Sequence, residues 1–143
     1  MRATTLHLIP LLLLLGCGAS PATPSGAADA AILTPPGNET VAIGDRVQVG
    51  STGYTLEISA LKGDSRCAVD VVCVWEGEFA VTGVLHAAEG MGMPDTPVTL
   101  STHDSTIAAG LTFRITTVTP APHAGVTIPV ADYRMTLEVA PAS

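Results

Sequence analysis

The chain has 143 residues, of which 47% are hydrophobic, 13% charged and 3% aromatic, with a formal net charge of −7. That length allows one domain, and so few aromatic residues leave Val, Ile and Leu to build its core. No run of basic residues offers the patch that a nucleic-acid backbone needs, so no nucleic-acid partner is expected; the scattered acids describe a soluble acidic surface.

Met1-Arg2 is a short positive start, and Leu6 to Leu15 is an apolar run that closes with Leu14-Leu15-Gly16-Cys17. The run is too short for a spanning helix, which needs about 20 apolar residues. Its layout is that of a secretory signal over residues 1–16. The Leu-Leu-Gly-Cys tetrad resembles the lipobox of bacterial lipoproteins. That resemblance implies cleavage before Cys17, a thioether-linked diacylglycerol on its sulfur, and an acylated (palmitate-type) amino terminus. More than one acyl chain gives stable anchoring. The cysteine count points the same way, because three cysteines in an exported chain leave one unpaired. With Gly18 after the lipidated cysteine, the outer membrane of the cell envelope is expected over the inner one.

Residues 17–38 are rich in Ala, Pro, Ser, Thr and Gly without a periodic apolar face, and read as a disordered tether. From Glu39 the pattern changes to period two, so 39–143 is expected to be one all-β domain. Short strands are predicted at Arg46–Val49 and Tyr54–Leu61, the latter with Tyr54, Leu56, Ile58 and Ala60 on one face. A long strand is predicted over Val74–His86, bent or bulged near Gly83. Ala87–Asp95 is a loop with Gly90, Gly92 and Pro94. Val98–Ser101 and Ser105–Ala108 follow, then Leu111–Val118 with Leu111, Phe113 and Ile115 inside. Pro120, Pro122 and Pro129 break the next segment. Tyr133, Met135, Leu137 and Val139 form the last buried face. Seven or eight short strands in about 100 residues fit an antiparallel sandwich or a small barrel.

The chemically densest stretch is Gly63–Gly77, GDSRCAVDVVCVWEG. Cys67 and Cys73, in an oxidising compartment, are expected to form a disulfide. A loop this short is worth about 2–2.5 kcal/mol in the chain-entropy model, so the bridge serves local shape more than global stability. Trp75, the only tryptophan, is expected to plug the core. The rigid loop carrying Asp64, Arg66 and Asp70 is the candidate binding surface, because a pre-ordered loop loses less entropy on binding.

Asp64-Ser65-Arg66-Cys67 together with Cys73-Val74-Trp75 and Gly77 resembles the signature of a group of small bacterial lipoproteins. Those proteins usually carry proline after the first cysteine, where this chain has Ala68. The ending Tyr133–Val139 also resembles their closing strand. The resemblance implies a shared fold and an envelope location, and names no activity.

Catalytic patterns are sparse. His103-Asp104-Ser105 has triad letters, but neighbours in a strand cannot adopt triad geometry, and Glu76 and Glu78 read as a solvated pair. There is no nucleophile elbow, phosphate-cradling glycine loop or His-Glu-x-x-His. The expectation is therefore a non-enzymatic binding or structural module, with an envelope protein as its possible partner. One alternative is copper handling, since Met91, Met93 and His86 supply soft thioether and imidazole donors that suit Cu(I); the other is an enzyme, which would need a cleft gathering His86, His103 or His123 with carboxylates.

Overall fold

The computed structural model describes residues 31–35 and 37–143. The leader, Cys17 and the tether before Ala31 lie outside the described residues. The strands are β1 (Ala31–Leu33), β2 (Gly37–Ala42), β3 (Arg46–Val49), β4 (Tyr54–Asp64), β5 (Phe79–Ala87), β6 (Thr96–Ser101), β7 (Thr106–Ala108), β8 (Leu111–Thr119) and β9 (Arg134–Pro141). A 3₁₀ turn at Val130–Asp132 precedes β9. They form a five-stranded sheet in the order β1-β3-β4-β5-β6 and a four-stranded sheet in the order β2-β9-β8-β7. All pairings are antiparallel except β1 with β3. The expected all-β architecture is thus a sandwich of two sheets, and the sheets do not close into a barrel.

The period-two pattern is what makes this possible. In β9, Met135, Leu137 and Val139 are buried while Arg134 and Glu138 are exposed; in β8, Leu111, Phe113 and Ile115 are buried while Arg114 is exposed. These residues meet Val47 and Val49 of β3, Leu56 and Ile58 of β4, and Phe79, Val81 and Leu85 of β5 in one core. Each such side chain, fully withdrawn from water, contributes about 1.5–3 kcal/mol.

The structure departs from the sequence reading in three places. Strand pairing begins before Glu39: Ala31–Leu33 pairs in parallel with Val47–Val49, and Gly37–Ala42 pairs with β9 and buries Val41. These segments are too short and too rich in small or polar residues to advertise a buried face. The strand expected to start at Val74 starts at Phe79 instead, because Val74–Glu78 continue irregularly from the disulfide ring and Gly77 takes a φ of +72°. The irregularity expected near Gly83 lies in its partner, where β4 shifts register between Ile58 and Ala60 and again between Leu61 and Gly63. The first shift turns Ala60 outward, so only Leu56 and Ile58 of the predicted face are fully buried.

Gly83 is nevertheless essential to that irregularity. It pairs with Ile58 beside the first bulge, where a Cβ would run into the backbone carbonyl of Glu57 and touch Val98 Cγ2 at 3.5 Å. Replacing Gly83 by Ala is expected to lower stability by about 1–3 kcal/mol, the usual cost of forcing extra volume into a packed interior. Urea unfolding checks this, and an unchanged midpoint would mean that β4 can yield at the bulge.

Candidate functional site

The β4–β5 pair continues beyond its strands. The Ser65 N–H donates to the Glu78 carbonyl at 2.7 Å and the Cys67 N–H to the Glu76 carbonyl at 2.8 Å. The Ser65 hydroxyl donates to the Glu78 carbonyl at 3.1 Å and accepts from the Glu78 N–H at 3.0 Å. Between these rungs Gly77 is buried with φ +72°, and a Cβ there would collide with the Ser65 carbonyl. Only glycine meets both demands. The ribbon ends in the expected Cys67–Cys73 disulfide, whose Cα atoms are 6.0 Å apart.

Arg66 sits at the root of this ribbon and points inward. Its Nε and Nη2 donate to the two carboxylate oxygens of Asp64 at 2.8 and 2.7 Å. Nη1 donates to the Val118 carbonyl at 2.9 Å, and Nη2 also reaches the Pro120 carbonyl at 3.1 Å. The Tyr133 hydroxyl donates to Asp64 Oδ2 at 2.9 Å. The guanidinium carbon lies 5.5 Å from the centre of the Phe79 ring and 6.0 Å from that of Tyr133. Side-chain exposure is only 15% for Arg66 and 9% for Asp64. A planar fork with five donors suits this task, since it satisfies a carboxylate in bidentate fashion and still reaches two carbonyls. The knot ties the end of β4 in one sheet to the end of β8 and the start of β9 in the other.

Burial alone would raise the Asp64 pKa, but the Arg66 side chain, the Arg66 N–H and the Tyr133 hydroxyl together outweigh it and hold the carboxyl below its usual range. Burial first, and then Asp64, push the Tyr133 hydroxyl above its ordinary value. Of the candidate binding residues, Asp64 and Arg66 therefore belong to the scaffold. Asp70 stands apart on the surface: it accepts the Ala124 N–H at 2.9 Å and lies 3.7 Å from His123 Nδ1. The Val69 N–H donates to the Pro122 carbonyl at 3.0 Å, so the ring also leans on the loop after β8.

What the ring holds out is apolar. Val72 and Val74 are fully exposed and Trp75 is 64% exposed, with Val69 and Val71 also open to solvent. Trp75 is thus not the core plug that the scarcity of aromatics suggested. Phe79 and Tyr133 take that place, with ring centres 5.2 Å apart. The shift to the surface follows from Gly77, which reverses the backbone between Trp75 and the buried Phe79.

At the opposite end, His86 is held between two acids. Its Nδ1 is 2.8 Å from Asp95 Oδ2, and its Nε2 is 3.2 Å from Glu57 Oε2, which also accepts from Arg46 at 2.6 Å. The Asp95 carboxylate, joined by Glu57, raises the His86 pKa against the effect of burial. Hydrogen bonds from Arg46 and then His86 hold Glu57 below the usual carboxylate range. Met91 and Met93 are exposed, and the Met91 sulfur rests over Gly53. The structure thus gives both His86 nitrogens to carboxylates on opposite sides of the ring, not to the methionines. Among the described residues no group of three or more His, Cys, Asp and Glu side chains is arranged to hold a metal ion. His103 and Asp104 lie in an exposed turn whose N–H groups donate to the Ser101 hydroxyl at 3.3 and 3.1 Å.

No protein-family model, curated protein or solved structure matches the chain. The site is read from its own chemistry.

Two measurements test this description. Arg66→Ala leaves the Asp64 carboxylate nearly buried without its cation, so it should cost about 3 kcal/mol in urea unfolding. Because the folded Asp64 pKa lies below the unfolded value of about 3.9, its contribution is complete above that pH and disappears as pH falls through the folded value. The variant should therefore lose part of the wild type's acid dependence; an equal stability and acid limb would refute the knot. For His86 the sign is reversed: its contribution is complete below about pH 6.5 and is lost as pH rises through the elevated folded value. NMR titration should place His86 above ordinary histidines, and Asp95→Asn should bring it down.

Proposed function

We propose that this chain is a lipid-anchored lipoprotein of the bacterial cell envelope, with the outer membrane its expected site. Its β-sandwich acts as a non-enzymatic binding or structural module with the disulfide ring as the contact surface. The observation that carries the reading is that the disulfide ring and the two residues after it display Val72, Val74 and Trp75 to solvent. Apolar side chains cost stability when displayed to water for no purpose, and their clustering on a fixed scaffold marks an interaction surface. Pre-ordering by the disulfide and the Arg66 knot lowers the entropy lost on contact.

The anchor reading is supported by the Leu14-Leu15-Gly16-Cys17 tetrad and by the pairing of Cys67 with Cys73, which leaves Cys17 as the one cysteine for lipid. The likeness of the Asp64–Gly77 signature to small bacterial lipoproteins supports the same location. In cells fed an alkyne-bearing fatty acid, the wild type should carry the label and sediment with membranes, whereas Cys17→Ser should lose both. A labelled Cys17→Ser protein, or an unlabelled wild type, would contradict the reading.

A further inference from the structure

The sandwich has two ends, and the strand registers fix how far the described start of the chain lies from the ring. β3 pairs Val47 with Leu56 and Val49 with Tyr54, so it runs away from the end where β4 reaches Asp64 and the ring. β1 lies parallel to β3, with Ala31 beside Val47 and Leu33 beside Val49. β1 therefore also runs away from the ring, and its first residue is its ring-facing one. Ala31 itself lies level with Leu56, eight residues along β4 from Asp64, a separation of about 26 Å. Cys17 stands fourteen positions before Ala31, a distance that even a fully extended chain limits to about 50 Å.

The exposed apolar side chains are concentrated at the ring end, which lies within that reach. Of the ten large exposed hydrophobic residues among those described, five fall within Val69–Trp75, and Val126 and Val130 belong to the segment after β8 that the ring leans on. Among them is the tryptophan, whose ring is suited to the boundary between headgroups and acyl chains.

We propose that the ring tip, led by Val72, Val74 and Trp75, is a second membrane contact that seats in the interfacial layer of the bilayer carrying the anchor. The proposal rests on the lipid anchor inferred above. The short tether keeps the tip near the surface at high effective concentration, so a weak apolar contact suffices to dock the domain. Asp70 and Glu76 flank the tip, and the chain as a whole carries −7. That charge opposes pairing with a second copy and opposes adhesion to anionic lipid, so the contact is made to zwitterionic lipid through apolar burial. Docking would orient the sandwich with its His86 and Met91 end away from the membrane.

The test uses the full-length lipidated protein in zwitterionic phosphatidylcholine vesicles, with Trp75 as the only tryptophan to report. Docking predicts emission shifted to shorter wavelength, loss of quenching by aqueous acrylamide, and quenching by lipids brominated near the top of their acyl chains. The Val72→Asp, Val74→Asp double variant should still float with the vesicles, but its docked-to-undocked ratio should fall at least about tenfold, since that equals about 1.4 kcal/mol and burying one valine is worth more. Raising the anionic lipid fraction should weaken docking of the wild type. An anchored wild type whose Trp75 stays as open to acrylamide as the variant overturns the proposal while leaving the anchor intact. Trp75 shielded from acrylamide yet unreached by the bromines overturns it in favour of a protein contact. A protein that fails to float and has no lipid mass on Cys17 overturns the anchor, and the proposal with it.

Discussion

The Asp64–Arg66 pair is the constraint on which the rest of this architecture depends. It forms at the ring end of β4, where Asp64 is the strand's last residue and pairs with Phe79. The guanidinium links the Asp64 carboxylate to the Val118 carbonyl in the opposite sheet and to the Pro120 carbonyl just past its strand. Tyr133 closes the arrangement from the start of β9. Three chain segments far apart in sequence are thereby fixed at one point, and a charge that would be costly alone becomes a joint between sheets. The ring inherits its position from this joint. Its disulfide fixes its local shape, while the knot and the two rungs at Ser65 and Cys67 fix where that shape sits on the sandwich.

That division of labour explains why a hydrophilic root carries an apolar tip. Inside the knot, charges are fully satisfied by hydrogen bonds and aromatic faces. Outside it, Val72 and Val74 are fully exposed and Trp75 mostly so. The His86 belt at the far end contrasts with it: Arg46, Glu57, His86 and Asp95 form an exposed polar row across four neighbouring segments. The two ends of the sandwich therefore differ in chemistry, which gives the domain a polarity along its strands.

Much of the sandwich was legible in the sequence because half-buried strands write their burial in alternation. Leu111, Phe113 and Ile115, and again Met135, Leu137 and Val139, read directly as core. The bridge between Cys67 and Cys73 was legible from cysteine number and compartment. Strand order was not, since β2 pairs with β9 across almost the whole chain and no local pattern encodes that. Ala31–Leu33 was hidden in an Ala- and Pro-rich stretch, and Gly37–Ala42 carries a single fully buried side chain. Gly83 marked the first irregularity, which falls opposite it in β4, whereas the second, between Leu61 and Gly63, left no mark. Within Gly63–Gly77 the structure reverses two expected directions: Arg66 turns in and Trp75 turns out. A charged residue gave no sign that it would find four acceptors in the fold. The positive φ of Gly77, which decides where Trp75 goes, is equally invisible in a list of letters.

The central claim is that the ring is a fixed part of the sandwich and not a loop that happens to contain a disulfide. Amide hydrogen exchange of the wild-type protein tests this most directly, at Ser65 and Cys67, whose N–H groups donate to the Glu78 and Glu76 carbonyls. The account predicts that both exchange as slowly as amides inside β4 and β5, opening only with the sandwich itself. Exchange at the rate of unprotected peptide, with the strands still protected, would contradict it.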